Sequence, residues 1–163
     1  MAGTRTYRYA LEVRWTGNTG EGTRTYTSYT RDYVIAEGAK PPLAGSSDPA
    51  FRGDPGRYNP EEMLLGALSA CHMLWYLHLA AEAGIVVTDY TDRPTGTMEV
   101  GRGGIGRFTA ATLRPRIVVA AGADLALADS LHGPAHQRCF IANSINFPLE
   151  IAGEVSVAPS SAA

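Results

Sequence analysis

The sequence is poor in lysine and in net charge. Lys40 is the only lysine among its 14 basic residues, so a cation in a functional site of this chain is expected to be an arginine. The formal net charge is −2 at pH 7. A chain without a basic excess lacks the electrostatic footprint of proteins that bind nucleic acid or anionic membranes, so we expect neither partner.

Cysteine is also scarce, and occurs only at Cys71 and Cys139. The first residues contain no apolar run typical of a signal peptide, which predicts a cytoplasmic protein. In a reducing cytosol, a pair of cysteines is more often catalytic, redox-active or inert than a structural disulfide.

One apolar run, residues 63–83, is long enough to raise the question of a membrane span. Polar side chains interrupt it, and no strongly basic flank would set its orientation. The run is therefore interpreted as a buried helix of a soluble protein. Its start is well marked, because Asn59 is a suitable N-cap, Pro60 suits the first helical position and Glu62 completes a capping box. This pattern predicts a helix from residue 60 to about residue 82, with Gly84 beyond its end.

The remaining patterns predict an α+β protein of one domain, residues 1–163, with an ordered core over 6–157. Partly alternating, β-branched and aromatic segments favour strands, a proline- and glycine-rich segment favours a long and potentially functional loop, and Gly133-Pro134 favours a break in the second helix. The predicted elements are antiparallel strands 6–15 and 23–36, loop 37–58, helix 60–82, strands 85–100 and 106–120, helix 123–138, strand 147–157 and a disordered tail 158–163.

Both cysteines lie on predicted helices, 68 residues apart. From composition alone, each is a candidate small core side chain, because free cysteine is commonly buried. A second interpretation is a metal site, since His132, His136 and Cys139 have a spacing that suits metal ligands.

Two segments resemble a known family. Residues 59–73, NPEEMLLGALSACHM, resemble the first cysteine motif of the OsmC/Ohr family, which comprises osmotically inducible and organic-hydroperoxide-resistance proteins. Residues 135–144, AHQRCFIANS, resemble its second cysteine motif. The order and separation of the two motifs also match the family.

The resemblance implies an OsmC-like fold, in which antiparallel sheets pack on a central buried helix, and an intertwined homodimer with active sites at the interface. It implies a peroxidase without cofactor or metal that reduces organic hydroperoxides, and possible activity on hydrogen peroxide. By that match Cys71 attacks the peroxide and becomes a sulfenic acid, and Cys139 resolves it as a disulfide. Dithiols such as lipoylated proteins are the implied reductants.

A thiolate in an apolar helix needs a cation or a hydrogen-bond donor, because burial favours the neutral thiol. The resemblance implies that an arginine from the β region pairs with Glu61 and activates Cys71. Arg31 is the best positional match, and Arg52 and Arg57 are alternatives. Since Glu61 lies about 15 Å from Cys71 along a straight helix, the arginine bridges this gap or one group comes from the partner chain.

The apolar wall that a hydroperoxide with a hydrocarbon tail needs is expected from the side chains beside the cysteines: Met73, Leu74, Trp75 and Phe140. A non-enzymatic protein that binds small molecules on the same dimeric fold is the alternative from a different functional class.

Overall fold

The computed structural model describes residues 3–158. Its contacts group the chain into two compact units, Met1–Met63 and Leu64–Ala163, which are described in turn. Of the predicted disordered tail, Ala158 has no regular structure and residues 159–163 lie outside the described residues.

The first unit contains a three-stranded antiparallel sheet in the order β1-β2-β3, formed by Glu12–Trp15, Tyr33–Ala36 and Leu43–Gly45. The predicted pairing of the first two segments is confirmed, but both strands are much shorter than expected. The Asn18 side chain accepts hydrogen bonds from the N–H groups of Gly20 and Gly22, at 2.9 and 3.1 Å, and both glycines have positive φ. This turn removes the residues that follow it from the ladder.

The predicted loop 37–58 is more ordered than expected. It contains β3 and a short 3₁₀ helix, Pro49–Phe51, which the Asp48 carboxylate caps by accepting the N–H of Ala50 at 2.7 Å. The proline- and glycine-rich composition did not predict either element. Such residues favour turns, and proline also occurs at the first position of short helices.

Helix α1, Pro60–Glu82, has the predicted bounds. Its capping box is formed as expected, because the Glu62 N–H donates to the Asn59 side chain at 2.8 Å and the Asn59 N–H donates to the Glu62 carboxylate at 3.1 Å. Gly84 takes a φ of 72° just beyond the last turn, which is the left-handed conformation that ends helices.

The expected burial of α1 on nearly all sides is wrong for the single chain. One face is buried, through Leu68, His72, Tyr76, Leu79 and Ala80. A second face is exposed although it is apolar, through Gly66, Ala67, Ala70, Leu74 and Ala81. The helix is long and apolar enough to cross a membrane by length and composition, a property that core helices of soluble proteins share.

The second unit has two three-stranded sheets, with the orders β4-β7-β9 and β5-β6-β8. The predicted strands 85–100 and 106–120 each divide into two, because Pro94 and Pro115 fall between strands rather than at bulges within them. The four resulting strands are β4 (Val87–Thr91), β5 (Thr95–Val100), β6 (Gly106–Leu113) and β7 (Arg116–Val119).

The predicted helix 123–138 is two helices, α2 (Leu125–Ser130) and α3 (His132–Arg138). The break lies at Leu131, two residues before the predicted Gly133-Pro134, because a proline is tolerated in the first turn of the new helix. The stretch that begins at Cys139 ends α3 and continues into a 3₁₀ helix, Ala142–Ser144.

The predicted final strand is also two strands, β8 (Leu149–Ile151) and β9 (Glu154–Val157), which join different sheets. Both pair in parallel, with β6 and β7 respectively, so the expectation of purely antiparallel sheets is wrong. Helices α2 and α3 return the chain to the end of the sheets at which β6 and β7 begin. Strands that pair in parallel need such a crossover connection. Between the strands, a Cβ at Gly153 would collide with the His132 ring, so this position must be small.

The main core of the second unit lies between the buried face of α1, the sheet β4-β7-β9 and the helices α2 and α3. Tyr76 anchors it, because its ring is fully buried and its hydroxyl donates to the Ala128 carbonyl at 2.9 Å. The core therefore fixes the rotation of α1, and with it the directions in which Cys71 and His72 point.

Candidate active site

Cys71 lies in the middle of α1 and is half-buried. It opens onto a cavity of about 300 Å³ whose lining is almost entirely apolar, formed by Cys71, Leu74, Trp75, His78 and Phe140. Neighbouring positions on a helix point about 100° apart, so Cys71 faces this cavity while His72 faces the core and is only 1% exposed. The helix thus presents the Cys71 thiol to a small apolar space.

Cys139 follows the last turn of α3 and is fully buried. Its thiol lies within hydrogen-bonding reach of Cys71, so the fold brings together two sulfurs that are 68 residues apart in sequence. Both cysteines are free thiols in this structure. Proximity of two thiols is the first requirement for a reversible disulfide.

The surroundings of Cys139 favour its protonated form. Burial and the hydrogen bond to Cys71 raise the pKa of the Cys139 thiol to about 11. The N–H groups of Ala142, at 3.4 Å from the sulfur, and Ile141 act in the opposite direction, because they stabilise an anion there.

Aromatic side chains form the wall of the cavity. Trp75 makes edge-to-face contacts with Phe140 and His78, with ring centroids 5.6 and 5.7 Å apart. The Arg138 guanidinium lies 5.8 Å from the Trp75 ring centre, and the His78 imidazole lies 3.3 Å from the Glu82 carboxylate. Of the apolar residues expected to line the site, Leu74, Trp75 and Phe140 do so, whereas Met73 is not among the lining residues.

The candidate activating residues belong to the first unit. Arg31 donates to the carbonyl oxygens of Tyr29 and Tyr26, at 2.8 and 2.9 Å, and its guanidinium stacks on both tyrosine rings at 4.2 Å. Glu61 lies in the first turn of α1, where its carboxylate acts with burial to raise the pKa of Tyr33.

The alternative arginines are also engaged within the first unit. Arg57 pairs with Asp54 at 3.2 Å and Asp32 at 3.8 Å, and Arg52 lies 5.9 Å from the Tyr26 ring centre. Within residues 3–158, no ion pair joins Glu61 to Arg31, Arg52 or Arg57. The assignment of the activating arginine therefore stays a prediction.

A contact between two histidines, the buried His72 and the half-buried His132, was not foreseen from the sequence. His72 Nε2 and His132 Nδ1 are 3.1 Å apart, and the two rings stack with centroids 5.4 Å apart. Their other ring nitrogens are buried and have no hydrogen-bond partner in the described part of the chain. The residues are 60 positions apart, and neither lies in a pattern that signals contact with the other.

This environment disfavours a charged imidazole. Burial, followed by the proximity of His132 and His136, lowers the pKa of His72 to about 4. Burial also lowers the pKa of His132, although Asp129 and Asp92 oppose this effect. A neutral pair can share one hydrogen between the two facing nitrogens, whereas a doubly protonated pair cannot.

The metal-site interpretation finds no support in the geometry. Among residues 3–158, no group of three or more histidine, cysteine, aspartate or glutamate side chains is placed to hold a metal ion. His132 faces His72, and the Cys139 thiol faces Cys71, so the three proposed ligands do not converge.

The α+β fold therefore sets two free thiols near each other, one of them on the central helix and at an apolar cavity. The sequence model of the OsmC-like protein family matches residues 53–153, which include both cysteines. The chain belongs to the OsmC/Ohr family, as its two cysteine motifs predicted.

Known relatives agree with this assignment. An OsmC-like protein of unknown function from Vibrio cholerae has the same fold, with a TM-score of 0.80 and 28% identity, over 93% of this chain and 100% of that one. The organic hydroperoxide resistance protein OsmC from Legionella pneumophila is similar at a TM-score of 0.65 and 18% identity, over 94% of this chain and 100% of that one. The uncharacterised protein YmaD of Bacillus subtilis is 30% identical over 102 residues, which are 61% of this chain and 67% of YmaD.

The buried histidine pair predicts acid sensitivity. Because the folded pKa of His72 is below its ordinary value of 6.5, the unfolded chain binds more protons than the folded chain between pH 6.5 and about 4. The stability that neutral His72 supplies is therefore complete above pH 6.5 and is lost as the pH falls towards 4. His72→Gln keeps a polar group near the Nε2 position but does not titrate, so we expect a weaker decline over this range in urea unfolding.

The matched control is His78→Gln, because His78 is exposed and not part of the core. It should keep the decline in stability that His72 causes, because His72 and its buried surroundings are unchanged. Identical profiles for the wild type and His72→Gln would contradict the assignment of this dependence to His72.

Proposed function

We propose that this protein is a thiol-dependent peroxidase that reduces organic hydroperoxides, with Cys71 as the attacking thiolate and Cys139 as the resolving thiol. The observation that carries the proposal is the proximity of the two thiols, one of which opens onto a cavity with an apolar lining. Membership of the OsmC/Ohr family supports it, as does the fold shared with proteins named for organic hydroperoxide resistance.

The cavity favours an organic substrate over hydrogen peroxide. Leu74, Trp75 and Phe140 offer a hydrocarbon tail a surface from which water is displaced, and this burial stabilises the complex by roughly 25 cal/mol per Å². Hydrogen peroxide has no such tail and gains nothing from this wall. Substrates with larger apolar groups should therefore react at lower concentrations, up to the size that the cavity admits.

Activation of Cys71 requires that its anion be stabilised. We propose Arg31 for this role, paired with Glu61, and Arg52 and Arg57 as alternatives. The sequence match supports Arg31. An arginine suits the role because its guanidinium group stays charged at all relevant pH values and can donate hydrogen bonds to the peroxide oxygens. To stabilise the Cys71 anion, Arg31 would have to give up its hydrogen bond to the carbonyl oxygen of Tyr26 or Tyr29, or act across the interface of a dimer.

The catalytic cycle closes when a dithiol reduces the Cys71–Cys139 disulfide. A small dithiol, such as the lipoyl group of a lipoylated protein, is the proposed reductant, because it needs to reach only the sulfur that opens onto the cavity. The cycle as written needs neither a metal nor an organic cofactor, because the two cysteines carry both electrons. A cytoplasmic location, where such dithiols are kept reduced, stays a prediction.

Substitution of the two cysteines tests the proposal. In Cys71→Ser, hydroperoxide consumption in the presence of dithiothreitol should fall to the uncatalysed rate, because an alcohol does not attack the O–O bond at neutral pH. In the matched variant Cys139→Ser, a single equivalent of hydroperoxide should still oxidise Cys71. The measurement is loss of cumene hydroperoxide with time. Equal rates for the wild type and Cys71→Ser would contradict the proposal and would favour the alternative of a non-enzymatic binding protein.

We also propose that the protein acts as a homodimer. The exposed apolar face of α1 supports this, and so does a stripe of alternating apolar side chains near the N-terminus: Tyr7, Tyr9, Leu11 and Val13, which are 59–91% exposed. Apolar surfaces of this extent are uncommon on monomers and mark sites of association.

The substitution Ala70→Glu tests the dimer, because it places a charge in the exposed apolar face of α1. We expect the variant to sediment as a monomer at concentrations where the wild type sediments as a dimer. Gln137→Glu adds the same charge at an exposed polar position and should sediment like the wild type. A monomeric wild type that consumes hydroperoxide would overturn the proposal.

A further inference from the structure

A second cavity lies in the second unit, on the outer face of the sheet β4-β7-β9. Within β7 the side chains of Ile117 and Val119 face the core, whereas Arg116 and Val118 alternate with them and line this cavity. Its volume is about 560 Å³, which falls in the range of sites that hold small molecules. Among the described residues, it shares no lining residue with the cavity at Cys71, so the two are separate sites.

The order of the strands gathers three arginines in this cavity. Because β4 is antiparallel to β7 and β9 is parallel to it, the end of β4 and the starts of β7 and β9 lie at the same end of the sheet. Arg93 follows β4, Arg114 precedes β7 and Arg116 opens it. Arg116 stands beside Thr91 of β4 on one side and Glu154 of β9 on the other. Segments that are distant in sequence thus bring three guanidinium groups to one concave surface.

The chain itself neutralises these guanidinium groups poorly. Arg116 lies 3.7 Å from the Glu154 carboxylate, but the two side chains are 72% and 76% exposed, and ion pairs of this kind contribute little. Within residues 3–158, no ion pair involves Arg93 or Arg114. The Arg114 guanidinium donates instead to the neutral Thr95 hydroxyl, at 2.6 Å. The cavity therefore presents positive charge that the described part of the chain leaves largely uncompensated.

Asp92 comes just before the first of these arginines, but its carboxylate is engaged elsewhere. It accepts the Ser69 hydroxyl and the backbone N–H of Arg114, each at 2.6 Å. The lining contains two carboxylates, those of Asp89 and Glu154, against three guanidinium groups. In a chain whose net charge is −2, a concave surface with a local excess of positive charge favours an anionic ligand.

From this arrangement we propose that the cavity binds a small molecule with at least two oxyanion groups, carboxylate or phosphate. The planar fork of a guanidinium group matches the oxygens of either one with two parallel hydrogen bonds. Arg93 and Arg114 are the main expected contacts, because neither forms an ion pair within the described residues. The hydroxyl groups of Thr91 and Ser156 also line the cavity and can donate to further oxygens. The site is independent of the proposed peroxidase function.

The mixed charge of the lining favours a small ligand over a polyanion such as a nucleic acid. A polyanion is held by an extended basic surface, and the chain as a whole has no basic excess. Asp89 and Glu154 would repel any anionic group beyond those that the three arginines reach. The two carboxylates therefore limit the charge and the length of the anion that the cavity accepts.

Isothermal titration calorimetry tests the site, at low ionic strength because salt screens exposed charges. Pyrophosphate and citrate are titrated separately into the wild-type protein, and we expect at least one of them to saturate a single site per chain. Arg93→Gln should weaken that binding about tenfold, the loss expected for one hydrogen bond to a charged group. Asp89→Asn should strengthen the binding, because it removes a negative charge from the lining.

The matched control is Arg102→Gln, which removes the same charge from the turn between β5 and β6, outside this cavity, and should bind like the wild type. Far-UV circular dichroism checks that each variant is folded, which we expect because Arg93, Asp89 and Arg102 are all exposed. Saturation by pyrophosphate alone would support a phosphate ligand, and saturation by citrate alone would support a carboxylate ligand. The absence of saturable binding of both probes at millimolar concentration would overturn the proposal. An Arg93→Gln variant that binds no more weakly than Arg102→Gln would also overturn it.

Discussion

The proximity of the Cys71 and Cys139 thiols is the constraint on which the proposed chemistry of this protein depends. It joins the middle of α1 to the end of α3, and so it requires that the core set both helices in register. Tyr76 and the buried residues of α2 and α3 supply that register through close packing. Because well-packed cores resist small displacements, the distance between the sulfurs is fixed by the fold rather than by the site itself.

The same packing explains why the two sides of α1 differ in character. Cys71 opens onto an apolar cavity, and the next residue, His72, is sealed in the core against His132. Burial lowers the pKa of both histidines, so the neutral pair stabilises the folded chain and this part of the core loses stability in acid. Gly153 belongs to this layer, because a larger residue would collide with His132.

Local sequence patterns predicted the features that are determined by residues close together in the chain. The capping box of Asn59 and Glu62 set the start of α1, and the two cysteine motifs identified the family and the pair of thiols. Pairings between distant segments were not predictable, because no local pattern encodes them. The parallel pairings of β8 with β6 and of β9 with β7, and the contact of His72 with His132, depend on where the fold brings separate segments.

Formation of one disulfide on reaction with one oxidant molecule is the most direct test of the central claim. The fully reduced wild type is treated with one equivalent of cumene hydroperoxide per chain, and free thiols are counted before and after the reaction. The account predicts the loss of both thiols, with Cys71 and Cys139 joined within one chain in the peptide map. Two thiols that remain free, or a disulfide that forms only between chains, would contradict it.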